Sequence, residues 1–378
     1  MRVAILGAGP AGLYAAYLLK KRGLASDIRI VEQNAPDATF GFGVVFSDRA
    51  LEFLHDDDPE THALVEPELE TWQDITLNHG GASTRIDGIG FSAIGRLHLL
   101  QLLQERVRSV GIHPEFNAVV RDLSELGDYD LLIGSDGVNS LVRRSADFGT
   151  NQELLTNRFV WYGTRQRYET LTQTFKQADA GSFNAHHYRF SPQMSTFIAE
   201  VDEKTFFGIG FDRMSEDETK AYLENVFADE LGGHGLVTNK SLWRQFPKLR
   251  NKRWSVGNKV LVGDALRTAH FSIGSGTRLA LEDVIALVRA LGAWPGDVPQ
   301  ALAAYEAARR PIVDKLVQAA NASADWYENF ADHMRLDPWD MALSYIMRSG
   351  RMDMDRLSRM SPAFAEALNK NQRRRTGS

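Results

Sequence analysis

The sequence predicts an α/β fold made of a Rossmann-like nucleotide-binding domain, a β-rich unit inserted into it, and a helical carboxyl-terminal segment. Three observations predict it. Residues 1–33, 94–142 and 257–292 each combine a buried strand with a helix, and glycine-bearing turns follow the strands, which is the plan of a dinucleotide fold. Alternating apolar and polar segments fill the stretch between the second block and the third. Residues 300–378 read as helices with Pro311, Pro338 and Pro362 as boundaries. The expected division is a discontinuous nucleotide domain (1–70, 91–155 and 255–320), a β-rich domain (71–90 and 156–254) and a helical end (321–378).

Composition narrows the partners. The chain has 378 residues, 43% hydrophobic and 24% charged, ordinary values for a globular protein with a substantial core. A formal net charge of −6 supplies no field to gather nucleic acid or an anionic membrane, so the expected partner is a small molecule. The absence of cysteine excludes disulfides, thiolate metal sites, a cysteine nucleophile and a cofactor tethered through sulfur, and no metal site is expected. Gly7, Gly9, Pro10 and Gly12 interrupt the apolar start and no small-residue cleavage site follows, so a cytoplasmic protein is expected rather than a secreted one. The apolar stretch 279–293 carries Glu282, Asp283 and Arg289 and falls short of a membrane span.

The first block contains "AILGAGPAGLYAAYLL". Gly7 permits a tight turn, Gly9 lets the backbone approach a pyrophosphate, and Gly12 lets helix and strand pack closely. Pro10 and Ala11 open the helix whose unpaired amides face the phosphates. Glu32 ends the strand "IRIVE", with Gln33 beside it, and is placed to accept from a ribose diol.

The second block, "GRLHLLQLLQERVRSVGI" and then "YDLLIGSDG", sets Asp136 and Gly137 at a strand's carboxyl end, where open α/β sheets collect ligands. Equally, Asp136 or Asn139 caps the next helix and Arg143 is a surface charge. In the insertion, "RFVWYGTRQRY", "FNAHHYRF", "MSTFIAEVD" and "KTFFGIGF" read as strands. His98, His186 and His187 are expected on helix and strand surfaces, with lining of the cleft as the alternative, and Trp161, Tyr162, Phe183 and Tyr188 in the core or along a ring pocket. Lys240, Arg244, Lys248, Arg250, Lys252 and Arg253 form a cationic crowd, either a solvated face or a set of phosphate contacts.

The third block is "GDALRTAHFSIGSGTRLALED". Asp264 can accept from a sugar-like hydroxyl, and Gly274 and Gly276 let the chain pass close beneath a flat ring. A helix beginning near Thr277 aims its positive end at that ring.

Together the three motifs resemble the single-component, FAD-dependent aromatic hydroxylases of the p-hydroxybenzoate hydroxylase type. The family's GxGxxG, DG and GD motifs match Gly7, Gly9 and Gly12, then Asp136 and Gly137, then Gly263 and Asp264. Its FAD-contacting arginine falls on Arg96, and "YEAARRP" resembles the segment after its GD helix. Leu266 and Arg267 depart from the family pattern, as do His270 and Phe271 at its usual prolines. "FGFGVVFSDRALEFL", "WYGT", "HFSIGSGT" and "LSYIMRSGRMDMDRLSRMSP" resemble the subgroup acting on aromatic acyl-CoA thioesters. "HFSIG" and "ELGGHGLV" also resemble the indole-ring hydroxylase of violacein biosynthesis.

The resemblance implies a Rossmann-like FAD-binding domain holding FAD non-covalently. With one dinucleotide fingerprint only, NAD(P)H is a transient co-substrate. It implies hydride transfer to FAD, addition of O2 to give a flavin hydroperoxide, and oxygen transfer to a ring carbon, para to the hydroxyl of salicylyl-CoA. His270 is the candidate acid–base residue, taking the ring hydroxyl's proton or bonding the thioester; the plainer alternative is a loop histidine that satisfies a backbone carbonyl. A non-catalytic FAD-binding redox sensor is the alternative of a different class. The WxWxIP signature of flavin halogenases is absent. The oligomeric state is left open.

Overall fold

The structure is a computed structural model that describes residues 1–47, 51–178 and 180–376; residues 48–50 of the "FGFGVVFSDRALEFL" stretch lie outside it. Five strands form the nucleotide-domain sheet in the order Ser255–Val256, Lys259–Leu261, Leu131–Gly134, Arg2–Leu6, Asp27–Val31. All neighbours are parallel except the edge strand Ser255–Val256. The interior strands are almost wholly apolar because helices cover both faces of such a sheet. Register then does something the sequence does not show. Leu6 and Leu261 both pair with Gly134, so the chain leaves three strands side by side at one carboxyl edge. Motifs more than a hundred residues apart therefore become neighbours, and Ser135 Oγ ties two of them together by donating to the carbonyls of Leu6 (2.9 Å) and Gly7 (2.8 Å).

The second sheet has seven strands, ordered Leu236–Val237, Arg158–Thr164, Ser195–Val201, Gly181–Arg189, Leu171–Ala178, Ile75–His79, Ala82–Ile86. Alternation gives it two apolar faces. Val160, Tyr162, Phe183, Phe197 and Ala199 pack on Phe206, Leu223 and Phe227, whereas Phe175 and Tyr188 pack on Trp326, Tyr327 and Tyr345. Gly43 sews the two units together: its N–H donates to Thr196 Oγ1 at 2.9 Å and its carbonyl accepts from the Tyr188 hydroxyl at 3.1 Å.

Two expectations are corrected. "KTFFGIGF" is not a strand; Glu203–Ile209 is helical, because Asp202 caps it by accepting from Thr205 N at 2.6 Å and Gly210 ends it in the left-handed region. Pro311 is not a boundary either but sits inside the 31-residue helix Val298–Glu328. Proline costs that helix one hydrogen bond, and buried packing on either side, at Arg309 and Val313, holds it through. The helix begins in the nucleotide-domain core with Ala301 and Tyr305 and ends in the sheet's core with Trp326 and Tyr327, so the two units share one rigid strut. Pro338 and Pro362 do start helices, Pro338–Met347 and Pro362–Thr376. No helix among the described residues is long and apolar enough to cross a membrane, and no group of His, Asp or Glu among them could hold a metal.

Candidate active site

Between the carboxyl edge of the parallel sheet and the inserted sheet lies a cleft of about 350 Å³. One wall is main chain. Gly9, Pro10 and Ala11 line it at the start of the helix Pro10–Lys21, and Gly274 and Gly276 line it at the start of the helix Gly276–Ala293. Neither helix has a side-chain cap, so both offer unsatisfied first-turn amides and positive dipole ends to the same space. Gly7 and Gly12 lie behind this wall. A Cβ on Gly12 would come within 2.0 Å of the Gly7 carbonyl oxygen, while one on Gly9 would meet nothing within 4 Å. Gly12 is thus a packing glycine, and the space above Gly9 is open.

Arg96, Gly137 and Asp264 join the same cleft. Arg96 has no carboxylate partner among the described residues. Asp264 is exposed to the cleft, and partial desolvation there raises its pKa against the opposing charges of Arg96 and Arg267. Other expected residues lie elsewhere. Glu32 accepts from Ala8 N at 2.9 Å and from Asn34 N at 2.8 Å, outside the cleft lining, and Gln33 is exposed beside it. Neither Asp136 nor Asn139 is the N-cap of the next helix, Leu141–Arg144: Ser140 caps it by accepting from Arg143 N at 2.9 Å, and Asp136 supports it by accepting from Leu141 N at 2.6 Å. Arg143 is not a surface charge: it is buried and donates to the Ala265 carbonyl at 3.0 Å, which fastens the DG turn to the GD turn.

His270 is also absent from the lining. It is buried, its Nδ1 faces the Ser272 hydroxyl at 2.8 Å and the Ser272 amide at 3.4 Å, and its ring stacks on Phe271. Burial drives its pKa well below the ordinary imidazole value. Arg267, one of the departures in this loop, makes a buried 2.6 Å ion pair with Asp283, which Arg309 of "YEAARRP" also reaches at 3.3 Å. Asp283, one of the charges that interrupt the apolar helix, therefore clamps the loop to it.

The opposite wall is made of side chains. Phe159, Trp161 and Phe271 form an aromatic cluster, with Phe271 at 5.0 Å and 6.3 Å from the other two ring centroids. Gln173, His186 and Arg348 supply the polar groups. The histidine pair divides: His186 lines the cleft, whereas His187 points to the other face, bonded to Thr174 Oγ1 at 2.9 Å and stacked on Phe197. Desolvation pushes both down to about 3, so both are neutral at pH 7. Alternation along the strand could have separated them; choosing which one faces the cleft required the sheet's packing. Arg348 and Tyr345 come from the carboxyl-terminal segment, and no feature of their own sequence marks them as cleft residues. Arg348 stacks over Tyr345 at 3.8 Å and donates to the Ser272 carbonyl at 2.9 Å.

A larger hollow of about 1190 Å³ opens beside the Leu171–Ala178 and Gly181–Arg189 strands. Its glycines, Gly80, Gly81 and Gly181, belong to none of the three motif turns, and the uncapped helix that starts there, Phe330–His333, is only four residues long, so the chemistry is assigned to the smaller cleft. There, two uncapped helix starts of 12 and 18 residues, open space over glycine and a flanking aromatic wall suit a phosphate-bearing ring cofactor.

Residues 1–128 and 115–320 match the family described as "FAD binding domain". The chain belongs to that family. Over 361 residues it is 41% identical to the salicyloyl-CoA 5-hydroxylase of a Streptomyces species, covering 92% of this chain and 70% of the relative. It is 35% identical over 334 residues to the 3-hydroxy-4-methyl-anthranilyl-[aryl-carrier protein] 5-monooxygenase of Streptosporangium sibiricum, covering 88% and 90% of the two chains. Identity to the protodeoxyviolaceinate monooxygenase of Chromobacterium violaceum is 34% over 380 residues, 99% of each chain. The fold matches that of 2-methyl-3-hydroxypyridine-5-carboxylic acid oxygenase, with a TM-score of 0.73 at 20% identity over 95% and 96% of the chains. The protein is an FAD-dependent aromatic-ring monooxygenase that uses NAD(P)H, and the sensor reading falls away. In this hydroxylase the cofactor carries the redox chemistry and the chain must supply position, field and exclusion of water.

Proposed function

We propose that this enzyme hydroxylates the ring of an aromatic acyl-CoA thioester, with salicylyl-CoA attacked para to its hydroxyl as the best-supported case. The observation that carries the reading is the 41% identity over 92% of the chain to a salicyloyl-CoA 5-hydroxylase. A second relative named for an aryl group on a carrier protein points the same way, since both names describe a carrier-borne aryl group.

In this reading Gly7, Gly9, Pro10, Ala11 and Gly12 cradle the FAD pyrophosphate, and Glu32 and Gln33 receive the ribose once Glu32 releases the Ala8 amide. Asp136 and Gly137 shape the second turn. Arg96, Asp264, Gly274 and Gly276 hold the ring system. When bound, FAD supplies the redox chemistry that links NAD(P)H oxidation to O2 activation. The Gly276–Ala293 helix start stabilises negative charge at the ring's edge. The Phe159, Trp161 and Phe271 cluster flanks the substrate ring on one side and keeps water from it. His270 acts by shaping the Phe271–Ile273 turn through Ser272, not by taking a proton.

The cationic crowd separates into two parts. Lys248 is paired with Asp325 at 2.6 Å and Arg253 with Asp147 at 2.5 Å. Lys240 and Arg244 instead stand 5.2 Å and 5.3 Å from the centroid of the exposed Phe40 ring, with no carboxylate partner among the described residues. Arg244 pairs through its backbone with Phe159 of the cleft wall at 2.9 Å, so this is where the thioester's phosphates are held.

Mass spectrometry of oxygen-dependent products from salicylyl-CoA, anthraniloyl-CoA, the free acids and indolic compounds tests the reading. Thioesters are expected to be turned over at least about tenfold better than free acids. Equal turnover of free acids, or turnover of indoles alone, overturns it; the latter would favour the reading suggested by the violaceinate relative.

A further inference from the structure

Glu200 is 2% exposed and lies behind the cleft wall, not in it. One of its carboxylate oxygens accepts from Asn157 Nδ2 at 2.9 Å; the other accepts from Asn184 Nδ2 at 3.0 Å and meets His186 Nε2 at 3.4 Å. His186 Nδ1 meets Gln173 Nε2 at 2.7 Å, and Gln173 Oε1 accepts from the Tyr327 hydroxyl at 3.0 Å. A buried chain of side chains thus runs Glu200, His186, Gln173, Tyr327. Its two middle members line the cleft.

A neutral imidazole has one N–H and one lone pair, and here both nitrogens are engaged. His186 must therefore donate through one nitrogen and accept through the other. An ionised Glu200 can only accept, so Nε2 carries the hydrogen, Nδ1 accepts from the Gln173 amide nitrogen, and Gln173 Oε1 is left to accept from Tyr327. A protonated Glu200 can donate to Nε2. The hydrogen then sits on Nδ1, the Gln173 amide must turn its oxygen toward it, and its nitrogen faces Tyr327. A substrate oxygen that accepts from Gln173 in one arrangement meets a lone pair in the other.

We propose that Glu200 is a positioning residue whose protonation state sets the tautomer of His186 and, through it, the orientation of the Gln173 amide offered to the aromatic substrate. The last step rests on the reading of the sheet wall as the substrate's wall. The surroundings permit the switch. No lysine or arginine lies within ion-pair distance of Glu200 among the described residues; its one such contact is His186. The titratable and charged groups packed around this chain are His186 on the adjacent strand, Tyr327 and Glu328 at the end of the long helix, Arg348 and Tyr345 beyond them, and His270 in the loop, with His187 on the opposite sheet face. Burial raises Glu200 to about 8, and the charge of Glu328 adds to this against the Asn157 and Asn184 donors. Arg348 helps keep His186 neutral, so the 3.4 Å contact is a hydrogen bond rather than an ion pair.

The test is a ¹⁵N imidazole titration of the FAD-loaded enzyme without substrate, with the His186 signals identified by their loss in His186→Gln. In the wild type His186 is expected to carry Nδ1–H below a midpoint near 8 and Nε2–H above it. In Glu200→Gln it should keep one tautomer throughout. KM for the turned-over aromatic substrate should step severalfold across the same midpoint in the wild type, with kcat moving less, and should be flat in Glu200→Gln. A wild-type His186 with a single tautomer from pH 6 to 10 overturns the proposal, as does a pH step that survives in Glu200→Gln. The wild-type titration decides the matter even if that variant fails to fold. Because it uses no substrate, it stands apart from failure of the thioester reading.

Discussion

The two walls of the cleft are built from different material. The nucleotide-domain wall is backbone: glycines that leave room and helix starts that leave amides unpaired. The sheet wall is side chains from three distant segments, with Gln173 and His186 on adjacent strands and Arg348 from the carboxyl-terminal helices. The first wall depends on what is missing, the second on a connected set of hydrogen bonds. Substrate turnover should therefore break on the sheet wall without loss of the cofactor, and cofactor retention should break on the backbone wall without loss of the fold.

The largest effects lie on the backbone wall. Gly12→Ala would force a Cβ to within 2.0 Å of the Gly7 carbonyl, so it should fail to fold or melt far below the wild type in calorimetry. Gly9→Val meets no protein atom within 4 Å at Cβ, so it should keep the melting temperature of the FAD-free wild type yet purify colourless, with FAD affinity reduced at least about a hundredfold. A Gly9→Val protein that stays yellow would undo the contrast between the walls.

On the other wall, Arg348→Met should remain yellow while product formed per NAD(P)H falls by about tenfold or more, because the turn at Ser272 loses its anchor. Comparing product with NAD(P)H consumed separates this from loss of cofactor. His186→Gln and His187→Gln sharpen the comparison within one strand. The first should lower kcat/KM by about tenfold or more and the second by less than about twofold, since only His186 lines the cleft.

The effect that vanishes at neutral pH is thermodynamic and shared. Both histidines are held at about 3 in the folded protein against an ordinary 6.5. A base whose folded pKa is depressed binds its proton in the unfolded chain first, so stability is full above about pH 6.5 and declines as pH falls toward 3. Each histidine contributes a slope of up to about 1.4 kcal/mol per pH unit. Urea unfolding between pH 4 and 6 should show a shallower decline for His187→Leu, while activity at pH 7.5 stays within about twofold.

The nucleotide wall was legible because its signals are local. GxGxxG, a carboxyl-edge aspartate and a late glycine pair each constrain the backbone within a few residues. Even so, locality misassigned some partners: Arg143 reads as a surface charge until the neighbouring GD turn is in place to receive it. "KTFFGIGF" alternates like a strand, but a capping aspartate and a left-handed glycine at its ends outweigh the alternation. Pro311 reads as a stop until the packing on both sides is known.

The sequence by itself determined an α/β nucleotide fold with an inserted sheet, no thiol chemistry, and glycine-bearing turns after the strands, since turn conformation is set by residues close along the chain. Only the tertiary structure decided that His186 rather than His187 meets the cleft, that His270 lies behind it, and that Arg348 reaches it from the far end of the chain. Those facts depend on which face of each strand is buried and on strand register, and neither exists until the two sheets have packed against the long shared helix.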